Sequence, residues 1–213
     1  MGDNMKEQQV IKYYVLCNKL KNILRTGWLN WHVSKDRVES VAEHIYGVQQ
    51  LAIAMKYTYN YDVDLQKVIF MLAIHESEEI FIGDITEFEM SREEKLKKGH
   101  KAIKELFSNF INGEELESII LEFDERKTKE AFFAYQCDKL ECDIQAKLYD
   151  EGNYVDLDKQ KDNATFYNPN VNELLNKGLT WGQMWLEFGR DRYPYDDNFM
   201  NVSKYVEDND INE

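Results

Sequence analysis

Two stretches of the chain decide its fold: RVESVAEHIYGV at residues 37–48 and AIHESEEIFIGDI at residues 73–85. In the first, Ser40 and Glu43 have the three-residue spacing of a capping box, in which the serine hydroxyl accepts from a backbone amide and the glutamate reaches back. Apolar residues at helical spacing follow and predict a helix over about 41–58. The second stretch continues another apolar helical pattern, so two successive helices are predicted.

The same patterns recur along most of the chain. They predict further helices over 8–24 and 64–81, from Ser91, from about Glu114, over 128–149 and from near Thr180. Glu94 and Gln183 lie three residues after Ser91 and Thr180, which predicts a capping box at the start of each of these two helices. Both prolines, Pro169 and Pro194, lie in the last quarter of the sequence, so the preceding stretch lacks the residue that most strongly interrupts a helix. These observations predict an all-α fold built as one helical bundle.

The character of the sequence changes after Asp150. Residues 152–170 read GNYVDLDKQKDNATFYNPN, and their Asn, Asp and Gly content favours turns, which predicts a long loop. Beyond it, Trp181, Trp185 and Phe188 are expected to cover one side of the bundle. We therefore divide the chain into a helical domain at 1–151, a loop and C-terminal helical appendage packed on the same domain at 152–206, and an acidic tail at 207–213.

Composition bounds the environment of the protein. Its 40 acidic and 26 basic residues give a formal net charge of −14, a sign that repels nucleic-acid phosphates and argues against a DNA or RNA partner. The longest apolar run, residues 68–74, is far below the ~20 residues that cross a bilayer, and the polar start MGDNMKEQQ has no signal-peptide core. We therefore expect a cytoplasmic protein without a membrane partner.

The three cysteines lack a Cys-x-x-Cys pair and are expected to be core thiols.

Two of the four histidines fall on apolar helix faces. His44 shares its face with Val48, and His75 follows the apolar residues of the next predicted helix. One inward histidine is more commonly a hydrogen-bonded core imidazole, but two on successive helices favour a metal site, because bundle cores build such sites from facing side chains. The other two, His32 in a loop and His100 among lysines, are expected on the surface.

Carboxylates accompany the inward histidines. On a continuous helix Glu79 shares the face of His75, and Glu76 lies a quarter turn away. Asp138 interrupts an apolar stripe, and a buried carboxylate needs an ion pair, hydrogen bonds or a metal, so a salt bridge and a metal site are equally open for it. His75-Glu76 is similar to the start of the His-Glu-x-x-His signature of zinc proteases, but Glu79 stands where the second histidine belongs, which argues against a protease.

Taken together, the sequence resembles the HD-domain metal-dependent phosphohydrolases and, within them, the 5'-deoxynucleotidase group. The matching blocks lie between about residues 20 and 150, in the order LRTGWL (24–29), RVESVAEHIYGV (37–48), AIHESEEIFIGDI (73–85), EEK (93–95) and QCDKLECDIQA (136–146). The resemblance implies an HD-type helical bundle that hydrolyses the 5'-phosphate of deoxynucleoside monophosphates, or of related small phosphorylated metabolites, by attack of metal-bound water.

The resemblance implies that His44, His75, Glu76 and Asp138 hold one divalent metal. The family normally has aspartate after the second histidine. Glu76 keeps the charge, but its extra methylene extends the carboxylate by about 1.5 Å. We expect Glu76 to coordinate directly or through water, and a metal-poor, impaired site is the alternative. Imidazole and carboxylate ligands suit Mn²⁺, Co²⁺, Fe²⁺, Ni²⁺ or Zn²⁺.

The resemblance also assigns residues to the reaction and to the substrate. Glu79 is implied to act on the attacking water, and Arg25, Trp28 and Asp84 are implied to contact the phosphate or sugar, with Asp84 counted among the catalytic residues. Arg37 is a further candidate for phosphate binding. From the residue types alone, Arg25 fits a surface charge equally well, Trp28 is more commonly a core residue and Asp84 is more commonly a turn cap.

The sequence thus predicts a metal-dependent phosphomonoesterase acting on a small phosphorylated molecule, most simply a nucleotide. Two alternatives stay open: a nucleoside triphosphatase or pyrophosphatase that uses the same metal, and a catalytically impaired nucleotide-binding module marked by Glu76. Exposed aromatic faces on a small helical domain also make a homodimer an expectation.

Overall fold

The computed structural model describes residues 3–34, 36–86 and 89–212. Residues 1, 2, 35, 87 and 88 of the predicted helical domain and Glu213 of the predicted acidic tail lie outside these ranges. Within them the all-α prediction is confirmed, because the regular structure is helical and the β-type pairing is limited to an isolated bridge between Leu24 and Ser40.

The described chain forms eleven α-helices and two short 3-10 helices. The α-helices are α1 (Asp3–Cys17), α2 (Thr26–Asn30), α3 (Val41–Tyr59), α4 (Leu65–Ile74), α5 (Glu79–Ile82), α6 (Arg92–Phe107), α7 (Gly113–Glu125), α8 (Lys129–Glu151), α9 (Pro169–Asn176), α10 (Trp181–Arg192) and α11 (Asp197–Asp208). The 3-10 helices are Asn18–Asn22 and Leu157–Lys159. Each predicted helix overlaps an observed one, but the helix predicted over 8–24 changes to 3-10 geometry after Cys17.

Local hydrogen bonds explain where the helices begin. Ser40 Oγ accepts from the Glu43 amide, and Glu43 Oε2 accepts from the Ser40 amide at 2.6 Å, which confirms the capping box of α3. The box at the start of α10 is confirmed in the same way. At Ser91 only half of the predicted box is present: the hydroxyl accepts from the Glu94 amide, whereas the Glu94 carboxylate pairs with Lys98 at 2.8 Å.

Helix α8 is the centre of the bundle. It packs against α3, α4, α7, α10 and α11, and most of its length is buried. One core cluster joins it to α3 and α4, with side chains that include Val48, Ala52, Met71, Leu72, Phe133 and Leu140. A second joins it to α2, α9 and α10, with side chains that include Trp28, Trp31, Tyr149, Val171, Trp181 and Met184. Polar side chains on α8 are therefore held by packing on more than one side.

The C-terminal segment contains two helices that the sequence analysis missed, α9 and α11. Pro169 is the first residue of α9. An N–H at this position has no acceptor within the helix, so proline, which lacks the N–H, costs no hydrogen bond there, and its fixed φ suits the helix. Helix α11 begins after Asp196, whose carboxylate caps the first turn. It runs to Asp208, so the predicted acidic tail starts inside a helix, and the Ile211 amide donates to the Glu151 carboxylate.

Helix α10 lies along α8 at very close range. A Cβ atom at Gly189 would lie 2.1 Å from Oδ2 of Asp143, so any larger residue there would have to displace the Asp143 carboxyl. The approach fixes α10, with Trp185 and Phe188, against the helix that carries Asp138.

Two surface features concern partners. In the described part of the chain, no helix is both long and apolar enough to cross a bilayer. Helix α1 exposes apolar side chains, among them Ile11 at 60% and Val15 at 54%. Such a surface is compatible with the predicted homodimer, which stays a prediction.

Candidate metal centre and substrate cavity

Three helices and one turn bring four side chains together. His44 lies in α3, His75 caps the C-terminus of α4, Glu76 follows in the next turn, and Asp138 lies in the middle of α8. One donor atom from each residue lies within 4.8 Å of the donor atoms of the other three. Both imidazoles and Asp138 are buried, and Glu76 is partly accessible. The four residues named from the sequence are therefore neighbours in space.

Each imidazole is fixed through its Nδ1 atom. His75 Nδ1 lies 2.8 Å from the carbonyl oxygen of Leu72, which only accepts, so this Nδ1 carries a hydrogen. His44 Nδ1 lies 2.6 Å from Glu141 Oε2, which favours the same tautomer. In the neutral rings the Nε2 atoms then carry the lone pairs, and His75 Nε2 is buried without a hydrogen-bond partner among the described residues. Two imidazole lone pairs beside two carboxylates are a donor set that fits a divalent metal.

Glu141 is a residue of this centre that the sequence analysis missed. It lies one turn after Asp138 on α8, and it reaches His44 because position 47 on α3 is glycine: a Cβ atom at Gly47 would lie 2.3 Å from Oε1 of Glu141. The sequence does contain a signal, because both Gly47 and Glu141 lie three residues after a candidate metal ligand. Helical spacing alone, however, does not tell which two helices face each other.

Positive charges around Asp138 keep it ionised. Burial favours the neutral acid, but Lys139 and the two imidazoles outweigh burial and hold the pKa of Asp138 well below its usual value. Lys139 Nζ lies 2.8 Å from Oδ2 of Asp138. The other oxygen, Oδ1, lies 3.2 Å from His44 Nε2 and 3.9 Å from His75 Nε2. Asp138 therefore presents one anionic oxygen to both lone pairs.

Glu76 reaches the same point despite its extra methylene. Its Oε1 lies 3.9 Å from His44 Nε2, 3.6 Å from His75 Nε2 and 3.8 Å from Arg25 Nη1. Burial opposes ionisation, but His75 in its protonated form, together with Lys95 and Arg25, outweighs burial and lowers the pKa of Glu76 to about 2. Glu76 is thus a second anionic ligand candidate directed at the imidazoles.

The proton affinity of His44 reports how negative this cluster is. Burial and the nearby Arg25 lower the pKa of His44, yet Glu141 and Asp138 raise it to about 9. The carboxylates around His44 therefore stabilise a positive charge enough to outweigh the cost of burying it. The same carboxylates would stabilise a metal cation placed among them.

Helix α4 ends at Ile74, one residue before His75, which corrects the prediction of one helix over 64–81. Residues 75–78 form a turn before α5 begins. The prediction that His75 and Glu79 share a helical face is therefore wrong. The apolar periodicity stops at Ile74. The His75 side chain donates from Nδ1 to the carbonyl oxygen of Leu72 in the last turn, where carbonyl groups lack partners within the helix.

Glu79 is the first residue of α5 and is fully buried. Its Oε1 accepts from Lys95 Nζ at 3.1 Å, and its Oε2 is buried without a hydrogen-bond partner among the described residues. Burial raises the pKa of Glu79 well above its usual value, and the charges of Glu76 and Asp84 act in the same direction. A carboxyl with a raised pKa and one unpaired oxygen is suited to take up and release a proton.

Arg25 and Asp84 hold each other. Arg25 Nη1 lies 3.4 Å from Asp84 Oδ1, and Arg25 Nη2 donates to Cys142 Sγ at 3.1 Å. The Thr26 amide also donates to the Asp84 carboxylate. The Arg25 side chain is 15% exposed, so the alternative of a surface charge is wrong. Asp84 ties the loop after α5 to the start of α2.

Trp28 and Arg37 are less favourably placed for substrate binding. Trp28 is 2% exposed and its indole N–H donates to Glu39 Oε1 at 2.7 Å, which is the core position that the residue type alone favours. Arg37 is exposed, and its guanidinium carbon lies 5.6 Å from the ring centroid of Tyr154. In the part of the chain that the structure describes, neither Trp28 nor Arg37 belongs to the lining of the cavity beside the metal donors. Their roles in substrate binding therefore stay predictions.

A cavity of about 550 Å³ lies beside the four donors, with His75 and Glu76 in its wall. Helices α2, α6, α7, α8 and α10 also contribute to the lining. The charged residues of the lining are Arg92, Lys95, Arg126, Lys139 and Arg192 against Glu76, Glu78 and Asp124. Acidic residues outnumber basic ones by 40 to 26 in the whole chain, so the cavity reverses the overall balance and favours an anionic ligand.

The remaining histidines and the cysteines lie outside the four-residue centre. His32 is exposed and pairs with Asp162 at 2.8 Å, as expected of a surface histidine. His100 is only partly exposed, contrary to expectation, and pairs with Asp124 at 2.7 Å in the cavity wall. The three cysteines are free, and Cys137 is fully buried.

This helical bundle, with two histidines and two carboxylates converging from separate elements, agrees with a family comparison. The sequence model described as HD domain matches residues 17–176, well over half of the chain. The chain therefore belongs to the HD domain family, and the predicted family is confirmed.

Individual relatives give a narrower likeness. The chain is 31% identical over 150 residues to 5'-deoxynucleotidase HDDC2 of Dictyostelium discoideum, which covers 66% of this chain and 77% of that protein. It is 26% identical over 147 residues to 5'-deoxynucleotidase HDDC2 of Homo sapiens, which covers 68% of this chain and 70% of that protein.

Solved structures share the fold. A conserved hypothetical protein from Pyrococcus furiosus superimposes with a TM-score of 0.57 at 26% identity, covering 78% of this chain and 94% of its own. A protein from Magnetospirillum magnetotacticum, described as a predicted metal-dependent phosphohydrolase, superimposes with a TM-score of 0.65 at 21% identity, covering 94% and 93%. The second likeness shows the fold alone.

Proposed function

We propose that this protein is a metal-dependent phosphomonoesterase that removes the 5'-phosphate from deoxynucleoside monophosphates. The observation that carries the proposal is the convergence of His44, His75, Glu76 and Asp138 beside a cavity whose charged lining is mainly cationic. The two curated relatives described above are named 5'-deoxynucleotidases. A small phosphorylated substrate agrees with both the sign of the cavity and these relatives.

The four side chains would hold one divalent ion, and the donor set suits Mn²⁺, Co²⁺, Fe²⁺, Ni²⁺ or Zn²⁺. When bound, such an ion supplies Lewis acidity toward the phosphoryl group and lowers the pKa of a water molecule. The protein contributes the arrangement of the ligands: Glu141 and the Leu72 carbonyl orient the imidazoles, and Lys139 fixes one oxygen of Asp138.

Glu79 is the residue that accepts the proton of the attacking water. Its Oε2 is the unpaired oxygen, and its raised pKa makes it a better base than a surface glutamate. Lys95 donates to Oε1 and so fixes the carboxyl, while Glu79 itself is fully buried and is not in the described lining of the cavity. The same Lys95 lines the cavity, so it links the buried Glu79 carboxyl to the cavity wall.

Lys95 and Lys139 supply positive charge on the cavity wall, one beside Glu79 and the other beside Asp138. Fixed cations at this place offset the negative charge of the phosphoryl oxygens, most strongly where water is excluded. Arg25 holds Asp84 and approaches Glu76, so it positions the acidic groups rather than lining the cavity itself.

The proposal is tested with purified protein supplied with Mn²⁺ or Co²⁺ and incubated with dAMP, dTMP and dATP. We expect inorganic phosphate from the monophosphates. Glu79→Gln keeps the shape of the side chain but removes the base, and should lower kcat about 10²- to 10⁴-fold. Glu94→Gln is the matched control, because Glu94 is exposed and pairs with Lys98 on the surface of α6, and it should leave kcat unchanged.

The products decide between the alternatives. Pyrophosphate or triphosphate from dATP, without phosphate from dAMP, would identify a triphosphatase or pyrophosphatase. A raised melting temperature with dAMP but no product would identify a nucleotide-binding module. Equal activity of Glu79→Gln and wild type would remove Glu79 from the mechanism.

A further inference from the structure

The cavity wall continues from the metal donors to α10. Lys139 lies beside the donors on α8, and its Nζ is 6.0 Å from the ring centroid of Tyr193. Arg192 precedes Tyr193, and its guanidinium carbon lies 5.0 Å from the ring centroid of Phe188. Phe188 and Trp185 are three residues apart and therefore neighbours on the helix. All five residues line the cavity, so one wall connects the proposed phosphate position to the aromatic side chains of α10.

Trp185 carries a polar atom that the protein leaves unsatisfied. Its Nε1 is buried and has no hydrogen-bond partner among the described residues. A buried indole N–H normally finds an acceptor, because an unmade hydrogen bond at a buried donor is unfavourable. Because the Trp185 ring lines the cavity, a molecule bound there could bring an acceptor to this N–H if the ring turned toward it.

Two neighbouring tryptophans differ from Trp185. The ring centroid of Trp28 lies 5.0 Å from that of Trp185, but Trp28 is in the core and its N–H is satisfied by Glu39. Trp181 also has an unsatisfied Nε1, but it is 1% exposed and does not belong to the cavity lining of the described chain. Trp185 thus combines an aromatic surface and an unused donor with a place in the cavity wall.

We propose that Trp185 and Phe188 form the nucleobase subsite, where the base packs on the aromatic side chains and a carbonyl oxygen or ring nitrogen of the base accepts from Trp185 Nε1. The inference rests on the proposed function, because a phosphate held at the metal donors is what directs the rest of the nucleotide along this wall. The base is the flat, apolar part of a nucleotide that carries acceptors at its edge, so it matches these side chains better than sugar or phosphate does.

The position of α10 in the sequence adds a consequence. The family match ends at residue 176, and α10 begins at Trp181. The proposed subsite therefore lies outside the matched segment, and it assigns base recognition to the C-terminal helices of this chain. Gly189 lets α10 approach Asp143 on α8, the helix that also carries Asp138.

The test compares a nucleotide with the same sugar phosphate that lacks the base. We would measure kcat/KM for dAMP, dTMP and 2-deoxyribose 5-phosphate with added Mn²⁺, in the wild type, Trp185→Phe, Trp185→Leu and the control Trp181→Phe. Trp185→Phe removes the N–H but keeps a ring, and should raise KM for the nucleotides about three- to tenfold, which corresponds to one hydrogen bond. Trp185→Leu should have a larger effect. The preference for nucleotide over 2-deoxyribose 5-phosphate should fall in both Trp185 variants and persist in Trp181→Phe.

A binding measurement separates this inference from the proposed function. Deoxyadenosine has the base but no phosphate, and calorimetry should show a higher Kd for it in both Trp185 variants than in the wild type. Unchanged nucleotide preference and unchanged deoxyadenosine Kd would overturn the subsite and leave the phosphatase intact. No phosphate release from any substrate by wild type would contradict the proposed function, and the deoxyadenosine titration would still decide on the subsite. If Trp185 variants melt well below wild type, Phe188→Leu takes their place in both measurements.

Discussion

Asp138 and Asp143 are buried carboxyls five residues apart on α8, yet the protein treats them in opposite ways. The pKa of Asp138 is held well below its usual value because neighbouring positive groups, foremost Lys139, outweigh burial. The pKa of Asp143 is raised well above its usual value because burial outweighs the surrounding attractions, among them the hydrogen bond that Tyr195 donates at 2.9 Å. Burial alone therefore does not identify a functional carboxylate.

The number and direction of the partners make the difference. Asp138 turns one oxygen to a lysine and the other to two imidazoles from other elements. Asp143 is enclosed by Tyr195 and by the backbone at Gly189, so it serves the packing of α10 on α8. The first arrangement is built to hold a cation, and the second tolerates a carboxyl that is most stable when neutral.

The largest effect is expected from Asp138→Asn, which removes the charge that faces the imidazoles. The variant should lose more metal affinity and activity than the roughly 100-fold that the loss of an outer partner costs. Calorimetric titration with Mn²⁺ and a phosphate-release assay measure both quantities. Asp143→Asn is the matched control on the same helix and should bind Mn²⁺ as the wild type does. Equal affinities in the two variants would remove the distinction between these carboxyls.

A smaller effect is expected from Glu141→Gln, which keeps an acceptor beside His44 Nδ1 but removes the charge that fixes the tautomer. Outer partners of this kind typically change metal affinity by about 10- to 100-fold. The Kd for Mn²⁺ should rise within that range while the melting temperature of the metal-free protein changes little. A Kd equal to that of the wild type would show that Glu141 only packs against Gly47.

The smallest effect is expected from Asp143→Asn, and it concerns stability. The folded state holds the Asp143 proton more tightly than the unfolded state does. The free energy of unfolding of the wild type therefore falls as pH rises from the unfolded pKa of Asp143, about 3.9, toward its raised folded pKa. In that window the variant should gain up to about 1.4 kcal/mol over the wild type per pH unit. Urea unfolding at a series of pH values measures the difference, and parallel curves would contradict the account.

The sequence predicted the parts of the centre that lie on long regular helices. His44 and Asp138 fall on apolar stripes of α3 and α8, and those stripes do face the core. The relation of His75 to Glu79 was predicted wrongly, because the periodic pattern does not show that the helix stops at Ile74. The contact of His75 with the Leu72 carbonyl at this end is local, but the spacing of apolar residues does not reveal it.

The cavity wall was less accessible to sequence reasoning. Trp28 lies in a block that resembles the family, whereas Trp185 lies outside the blocks, yet Trp185 lines the cavity and Trp28 is in the core behind it. Which aromatic ring faces the cavity depends on how α10 packs on α8, a contact between distant parts of the chain. Helix α9 is not predicted because the Asn, Asp and Gly content of residues 152–170 favours a loop, although Pro169 suits a first helical position.

The central claim is that His44, His75, Glu76 and Asp138 bind one divalent ion together. Titration of the metal-free protein with Co²⁺, followed by visible absorption, tests it most directly. The account predicts saturation at one ion per chain in the wild type and loss of that signal in His75→Asn, with an unchanged helical circular dichroism spectrum. Absence of binding in the wild type, or the same titration curve in His75→Asn, would contradict it.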